Sequence, residues 1–106
     1  MARGAEVGVD VECVAAFQFT AGLAADYCSR REQDRLATLP ETARAAEFLR
    51  LWTAKEAVLK LRGTGLGQDA QPASLLEQLR PQERVVELPA GPDLIASLAV
   101  GPLTPA

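Results

Sequence analysis

The chain contains no histidine. That omission removes the Ser-His-Asp and Cys-His modes of nucleophile activation, and with them histidine ligation of metals. Acid–base chemistry must then come from carboxylates, lysines or water. The two cysteines, Cys13 and Cys28, lack Cys-x-x-Cys spacing and have no histidine to join them, which argues against a zinc site. They read as reduced, partly buried thiols. No apolar run approaches the length of a bilayer span, and the N-terminus lacks a charged-then-apolar signal pattern. The expectation is a soluble, cytoplasmic protein with no membrane attachment. An excess of positive charge is missing too: the formal net charge is −3, against a general nucleic-acid binder. Internal repeats and low-complexity segments are also absent.

What is present fits one domain over residues 1–106, with 48% hydrophobic residues and a real but modest core. Its charge is uneven. Residues 30–62 hold eight bases (Arg30, Arg31, Arg35, Arg44, Arg50, Lys55, Lys60, Arg62) against five acids, a local +3 that leaves −6 for the remainder. Such a segment reads either as a site for an anionic partner or ligand, or as a solvated helix surface.

Val7 to Glu12 alternates strictly, with Val7, Val9 and Val11 on one face of a strand and Gly8, Asp10 and Glu12 on the other. A connection over 13–22 comes next, with Phe17 and Phe19 as anchors, then a short helical turn over 23–27. Ser29 and Glu32 have capping-box spacing and open a helix to about Thr38, with Leu36 and Leu39 on its inner side. Pro40 ends that helix and opens a long one over 41–62, stopped by Gly63. The Gly63-Thr64-Gly65-Leu66-Gly67 run comes after a helix, unlike a dinucleotide fingerprint, and reads as a turn with close backbone approach. A short helix over 74–79 leads to strands 84–88 and 94–100, joined antiparallel through Pro89-Ala90-Gly91-Pro92-Asp93. The fold class is α+β: an antiparallel sheet of about three strands packed against helices.

Two places carry chemistry. Asp10 and Glu12 project the same way, roughly 7 Å apart along the strand. They are near enough to share a divalent cation, although an exposed strand face also accommodates two acids. On the long helix, Phe48, Leu51, Trp52 and Leu59 make an apolar side, while Thr53, Glu56 and Lys60 form a polar stripe with Lys55 beside it. An ordinary solvated Glu56–Lys60 pair is the plainer reading of that stripe. If strand and helix pack together, Asp10, Glu12 and Glu56 converge. An all-oxygen set without histidine or thiolate suits magnesium, which keeps waters and completes its shell with substrate phosphate. Lys55 and Lys60 then serve the remaining phosphate oxygens. The chemistry indicated is phosphoryl or phosphodiester transfer.

Gly8-Val9-Asp10-Val11-Glu12, joined 42 positions after Asp10 by Trp52-Thr53-Ala54-Lys55-Glu56-Ala57-Val58-Leu59-Lys60 and then Gly63-Thr64-Gly65-Leu66, resembles the signature of the 4′-phosphopantetheinyl transferase superfamily. The resemblance extends over about residues 7–100. Trp52, and the acid two places after Asp10, look more like the larger two-lobed type than the small carrier-protein synthase type.

The resemblance implies transfer of the phosphopantetheine arm of coenzyme A to a serine hydroxyl of an acyl, peptidyl or aryl carrier protein, releasing adenosine 3′,5′-bisphosphate. By residue it implies Asp10, Glu12 and Glu56 on magnesium, Lys55 and Lys60 on phosphates, Lys60 helping the leaving group and Glu56 taking the serine proton. The arginines between 30 and 50 suit an acidic carrier helix. Two-lobed members are about twice this length, and this chain resembles their second lobe alone. Small members complete their sites between subunits as trimers. A homo-oligomer or a complementing N-terminal lobe is therefore expected, and the alternative is a non-catalytic lobe that binds a carrier protein or that missing lobe.

Overall fold

The computed structural model describes residues 5–15, 17–63 and 72–102. Three strands, β1 (Ala5–Cys13), β2 (Arg84–Leu88) and β3 (Leu94–Pro102), form an antiparallel sheet in the order β1-β3-β2. Its register pairs Val9 with Leu98 and Asp10 with Ser97 on one side, and Val86 with Leu98 on the other. The helices are α1 (Ala21–Tyr27), α2 (Arg30–Thr38) and α3 (Glu41–Arg62), with a 3-10 segment, α4, over Pro72–Gln78. The expected α+β architecture with three strands is the one observed.

Local chemistry explains most of the element ends. Thr20 caps α1 by accepting from the Leu23 N–H, and the Ser29–Glu32 capping box opens α2 in both directions. Pro40 precedes α3 as its cap residue, and Gly63 closes it with φ 74°, a left-handed conformation that only glycine adopts without strain. Gly91, at φ 95°, turns the β2–β3 connection in the same way. The short helix expected at 74–79 is instead 3-10 over 72–78, with a kink at Ser74. The segment 64–71, which holds the rest of the glycine-rich run, lies outside the described residues.

Helix α3 lies across the sheet and is buried on more than one side. One apolar cluster gathers Ala24, Cys28, Leu36, Phe48, Leu49 and Ile95, with Phe17 and Phe19 packing against Phe48 at ring-centroid distances of 5.6 and 5.5 Å. A second joins Ala57, Val58, Leu59 and Leu61 to Leu75 and Ala99. The polar stripe of α3 therefore does not face water uniformly. Thr53 is fully buried and its hydroxyl lies 3.0 Å from that of Ser97, each satisfying the other inside the sheet–helix layer. At the far end of α3, Arg62 grips Glu83 through two hydrogen bonds of 2.9 and 2.6 Å, which holds the Glu83 carboxyl below the usual range.

The face of β1 turned to α3 is the polar one. A Cβ at Gly8 would overlap the Ala57 carbonyl oxygen and the Leu61 amide nitrogen and lie 3.1 Å from Leu61 Cα, so helix and strand meet backbone to backbone there. Val7, Val9 and Val11 point the other way and stay 58%, 43% and 51% exposed. Gly8→Ala should therefore lower stability by about 3 kcal/mol or more, since the obstruction is main chain rather than a movable side chain. Urea unfolding of the two proteins measures this difference.

Candidate active site

The close approach at Gly8 governs the rest of β1. Two residues on, Asp10 enters the layer under α3 and is 8% exposed. Lys60, one turn beyond Glu56, places its ammonium 2.8 Å from Asp10 Oδ1 and 3.2 Å from the Val9 carbonyl. Asp10 Oδ2 is buried and has no hydrogen-bond donor among the described residues. Glu12 and Glu56 stand close enough to interact with Asp10, Lys60 and each other.

Burial is the first cause that pushes the Glu12 carboxyl above its ordinary pKa; repulsion from Asp10 adds to it, and the Trp52 side chain and Lys60 oppose it. Glu56 is raised in the same way, by burial first and then by Asp10 and Glu12, with Lys60 again opposing. The Lys60 ammonium is correspondingly strengthened, chiefly by its hydrogen bond to Asp10. The arrangement is an electronegative pocket held by one lysine.

Asp10, Glu12, Glu56 and Lys60 thus come together, from one strand and one helix. A preformed metal cage is a different matter: among the described residues, no group of three or more His, Cys, Asp or Glu is arranged as it stands to hold an ion. At Asp10 the charge opposite the carboxylate is the Lys60 ammonium, 2.8 Å from Oδ1. The donors themselves fit a hard ion: they are carboxylates only, and Asp10 Oδ2 is an unsatisfied acceptor.

Lys55 lies elsewhere than expected. Its side chain is 2% exposed and its ammonium is spent on Glu32 Oε1 at 2.6 Å, the Tyr27 carbonyl at 2.5 Å and the Ala73 carbonyl at 3.3 Å. Adjacent residues on a helix point about 100° apart, so while Glu56 faces β1, Lys55 faces α1, α2 and α4 instead of the pocket rim. Glu32 is legible in sequence only as a capping-box residue; it is also the buried counter-ion of Lys55. Trp52, apolar packing by its spacing, does pack against Tyr27 and Phe48, yet its indole also borders Glu12. The signal available in sequence is its position four residues before Glu56 on the same helix side.

The basic segment is also largely neutralised from within. Arg30, Arg35, Arg50, Lys55, Lys60 and Arg62 all have acidic partners, and Arg44 spends its guanidinium on the Leu39 and Ala37 carbonyls. Arg31 is exposed and makes no ion pair among the described residues. No helix among the described residues is long and apolar enough to cross a membrane.

Solved structures share this architecture. The holo-(acyl-carrier-protein) synthase of Bacillus anthracis, crystallised in complex with CoA (3′,5′-ADP), superposes with a TM-score of 0.76 at 14% identity, over 97% of this chain and all of its own. The holo-[acyl-carrier-protein] synthase of Thermotoga maritima gives 0.64 at 17% identity, over 92% of this chain and 62% of its own. At such identities the likeness establishes the fold, a holo-carrier-protein-synthase type of α+β domain. In sequence, the 4′-phosphopantetheinyl transferase HetI of Nostoc sp. is 30% identical over 104 residues, which is 90% of this chain and 43% of that protein. The profile of the 4′-phosphopantetheinyl transferase superfamily matches residues 6–97. The chain belongs to that superfamily, and it spans less than half the length of the Nostoc relative.

Removing Lys55 should leave Glu32 buried without its cation. Lys55→Met is expected to cost about 3–5 kcal/mol, and Lys55→Met combined with Glu32→Leu to cost less than the sum of the two single changes. Chemical denaturation of all four proteins gives the coupling energy, and strict additivity would reject the pairing as the source of the loss.

Proposed function

We propose that this chain carries out magnesium-dependent transfer of the 4′-phosphopantetheine group from coenzyme A to a serine of an acyl or peptidyl carrier protein. The observation that carries the reading is the meeting of Asp10, Glu12, Glu56 and Lys60 between β1 and α3, within the fold of this superfamily. The coenzyme A complex of the Bacillus synthase and the name of the Nostoc relative support the substrate class.

Asp10, Glu12 and Glu56 are the residues available to hold magnesium. When bound, the ion supplies positive charge against the pyrophosphate of coenzyme A. In the reaction the serine oxygen attacks the phosphorus that bears the pantetheine arm. The phosphoanhydride bond breaks, and adenosine 3′,5′-bisphosphate leaves with the bridging oxygen and its electron pair. Glu56 is the base nearest at hand for the serine proton: it is only partly buried, so an incoming hydroxyl reaches it. Lys60, half exposed, can turn its ammonium to the leaving phosphate. Lys55 takes no part in phosphate binding, because its three hydrogen bonds are already committed inside the fold.

A mass-shift assay with apo-carrier protein and coenzyme A tests the reading. Modification should require magnesium, and Glu56→Gln should slow it by about 100-fold or more. Turnover within about threefold of wild type would remove Glu56 as the base.

A second reading concerns assembly: the chain works within a homo-oligomer or against a complementing lobe. The exposed apolar face of the sheet favours it. Val7, Val9 and Val11 on β1, Val86 on β2 and Leu94 on β3 are each 43–58% exposed, and the register sets Val9, Leu98 and Val86 in one row across the three strands. A β-branched surface of this kind is costly to leave in water. Light scattering at micromolar concentration should find an oligomer that Val9→Asp dissociates, and a wild-type monomer that modifies the carrier would refute the requirement.

A further inference from the structure

Asp10 poses a problem that the acid cluster alone does not. Its side chain is nine-tenths buried; one oxygen is bonded to Lys60, and the other finds no donor among the described residues, with only the like-charged Glu12 carboxyl beside Asp10. A buried carboxylate oxygen without a donor is costly, and folds tolerate one only where something else fills the gap. The partner it does have is poorly anchored: the Lys60 side chain is 53% exposed, at the end of a flexible four-carbon stem. Its other hydrogen bond goes to a single carbonyl, that of Val9 at 3.2 Å, and Glu56 and Glu12 attract it only through space.

We infer that Lys60 is a resident counter-ion that a divalent cation displaces: ammonium and metal compete for Asp10, and the freed lysine becomes available to substrate phosphate only when the metal is in place. This rests on the assignment of magnesium to the three acids and goes beyond it. Three observations point the same way. The donors for a cation are present, yet among the described residues no three of them are gathered for one, and the positive charge that Asp10 does have is Lys60. Asp10 Oδ2 already faces the layer with no bond to break. Exposure on the lysine side lets the stem swing to water or phosphate without disturbing the core, whereas Lys55, earlier on the same helix, is locked by three acceptors. The consequence is ordered occupancy. Before metal arrives, the acids are partly neutralised and the fold is protected from their repulsion; afterwards, one positive group has been exchanged for a stronger one and a lysine has been released towards the substrate.

The chain has only two lysines, Lys55 and Lys60, so each can be followed separately by NMR after lysine-specific isotope labelling. Magnesium chloride, added without coenzyme A, should shift the side-chain signal of Lys60 and leave that of Lys55 in place. By calorimetry, Lys60→Met should bind magnesium roughly threefold to tenfold more tightly than wild type, the weight of a half-exposed ion pair. Arg50→Gln, which removes an exposed positive charge from the same helix away from Asp10, controls for the general field and should bind as wild type does. A Lys60 signal that stays put at saturating magnesium, or equal affinities for wild type and Lys60→Met, overturns the exchange while leaving magnesium binding intact. If none of the three proteins binds magnesium, with or without coenzyme A, the metal assignment itself fails and the exchange falls with it.

Discussion

The contact on which the rest of the molecule depends is the one between β1 and α3 at Gly8, where strand backbone and helix backbone touch with no side chain between them. Because the two elements are that close, a residue two positions along the strand lies directly beneath the helix. Asp10 is buried for this reason and can be reached by Lys60. Moving the strand outward by the width of a methyl group would admit water to Asp10, lengthen the ion pair and separate Glu12 from Glu56. One small residue thus sets the dielectric of the pocket as well as its geometry.

Charge in the pocket is balanced incompletely, which distinguishes it from the other ion pairs in the chain. Arg62 and Glu83 satisfy each other with two hydrogen bonds, and the Arg80 amide adds a third to the same carboxylate. Lys55 and Glu32 are likewise saturated by the backbone and capping groups around them. In the pocket, three carboxylates share one lysine, and both glutamates resist ionisation, through burial first and the neighbouring acids second. A structural ion pair would be expected to look like the first two. An imbalance kept under a helix, where burial makes it expensive, sets the pocket apart from these two structural pairs.

Much of this is legible in sequence, for a definite reason in each case. The strict alternation from Val7 to Glu12 and the three-and-four spacing of α3 are short-range patterns, and they locate the strand, the helix and the acids that meet between them. The cap at Ser29, the stop at Gly63 and the β2–β3 turn at Gly91 rest on local backbone chemistry and can be read from it directly. What escapes is long-range. Nothing in the spacing of Lys55 says that Glu32, 23 residues earlier, will sit beside it, so a lysine adjacent to Glu56 is expected at the pocket rim when helix rotation turns it away. The same limit applies to the run of bases over 30–62, whose net charge is visible and whose partners are not. Thr53 belongs to an apparent polar stripe, yet Ser97 from β3 takes up its hydroxyl and removes it from water.

The alternation that makes the pocket has another effect, forced by geometry. Side chains on a strand repeat every second residue, so turning Gly8, Asp10 and Glu12 towards α3 obliges Val7, Val9 and Val11 to face the opposite way. A conventional two-layer domain would do the reverse and cover its valines with the helix. Here the helix covers acids, and the apolar side of the sheet is left outside with Val86 and Leu94. A shift of one residue in register would bury the valines and repair that surface, but it would also expel Asp10 and Glu12 from the layer and bring a bulky β-branched residue to the place where only glycine fits. The pocket and the uncovered face are therefore two results of the same strand orientation, and neither can be had without the other.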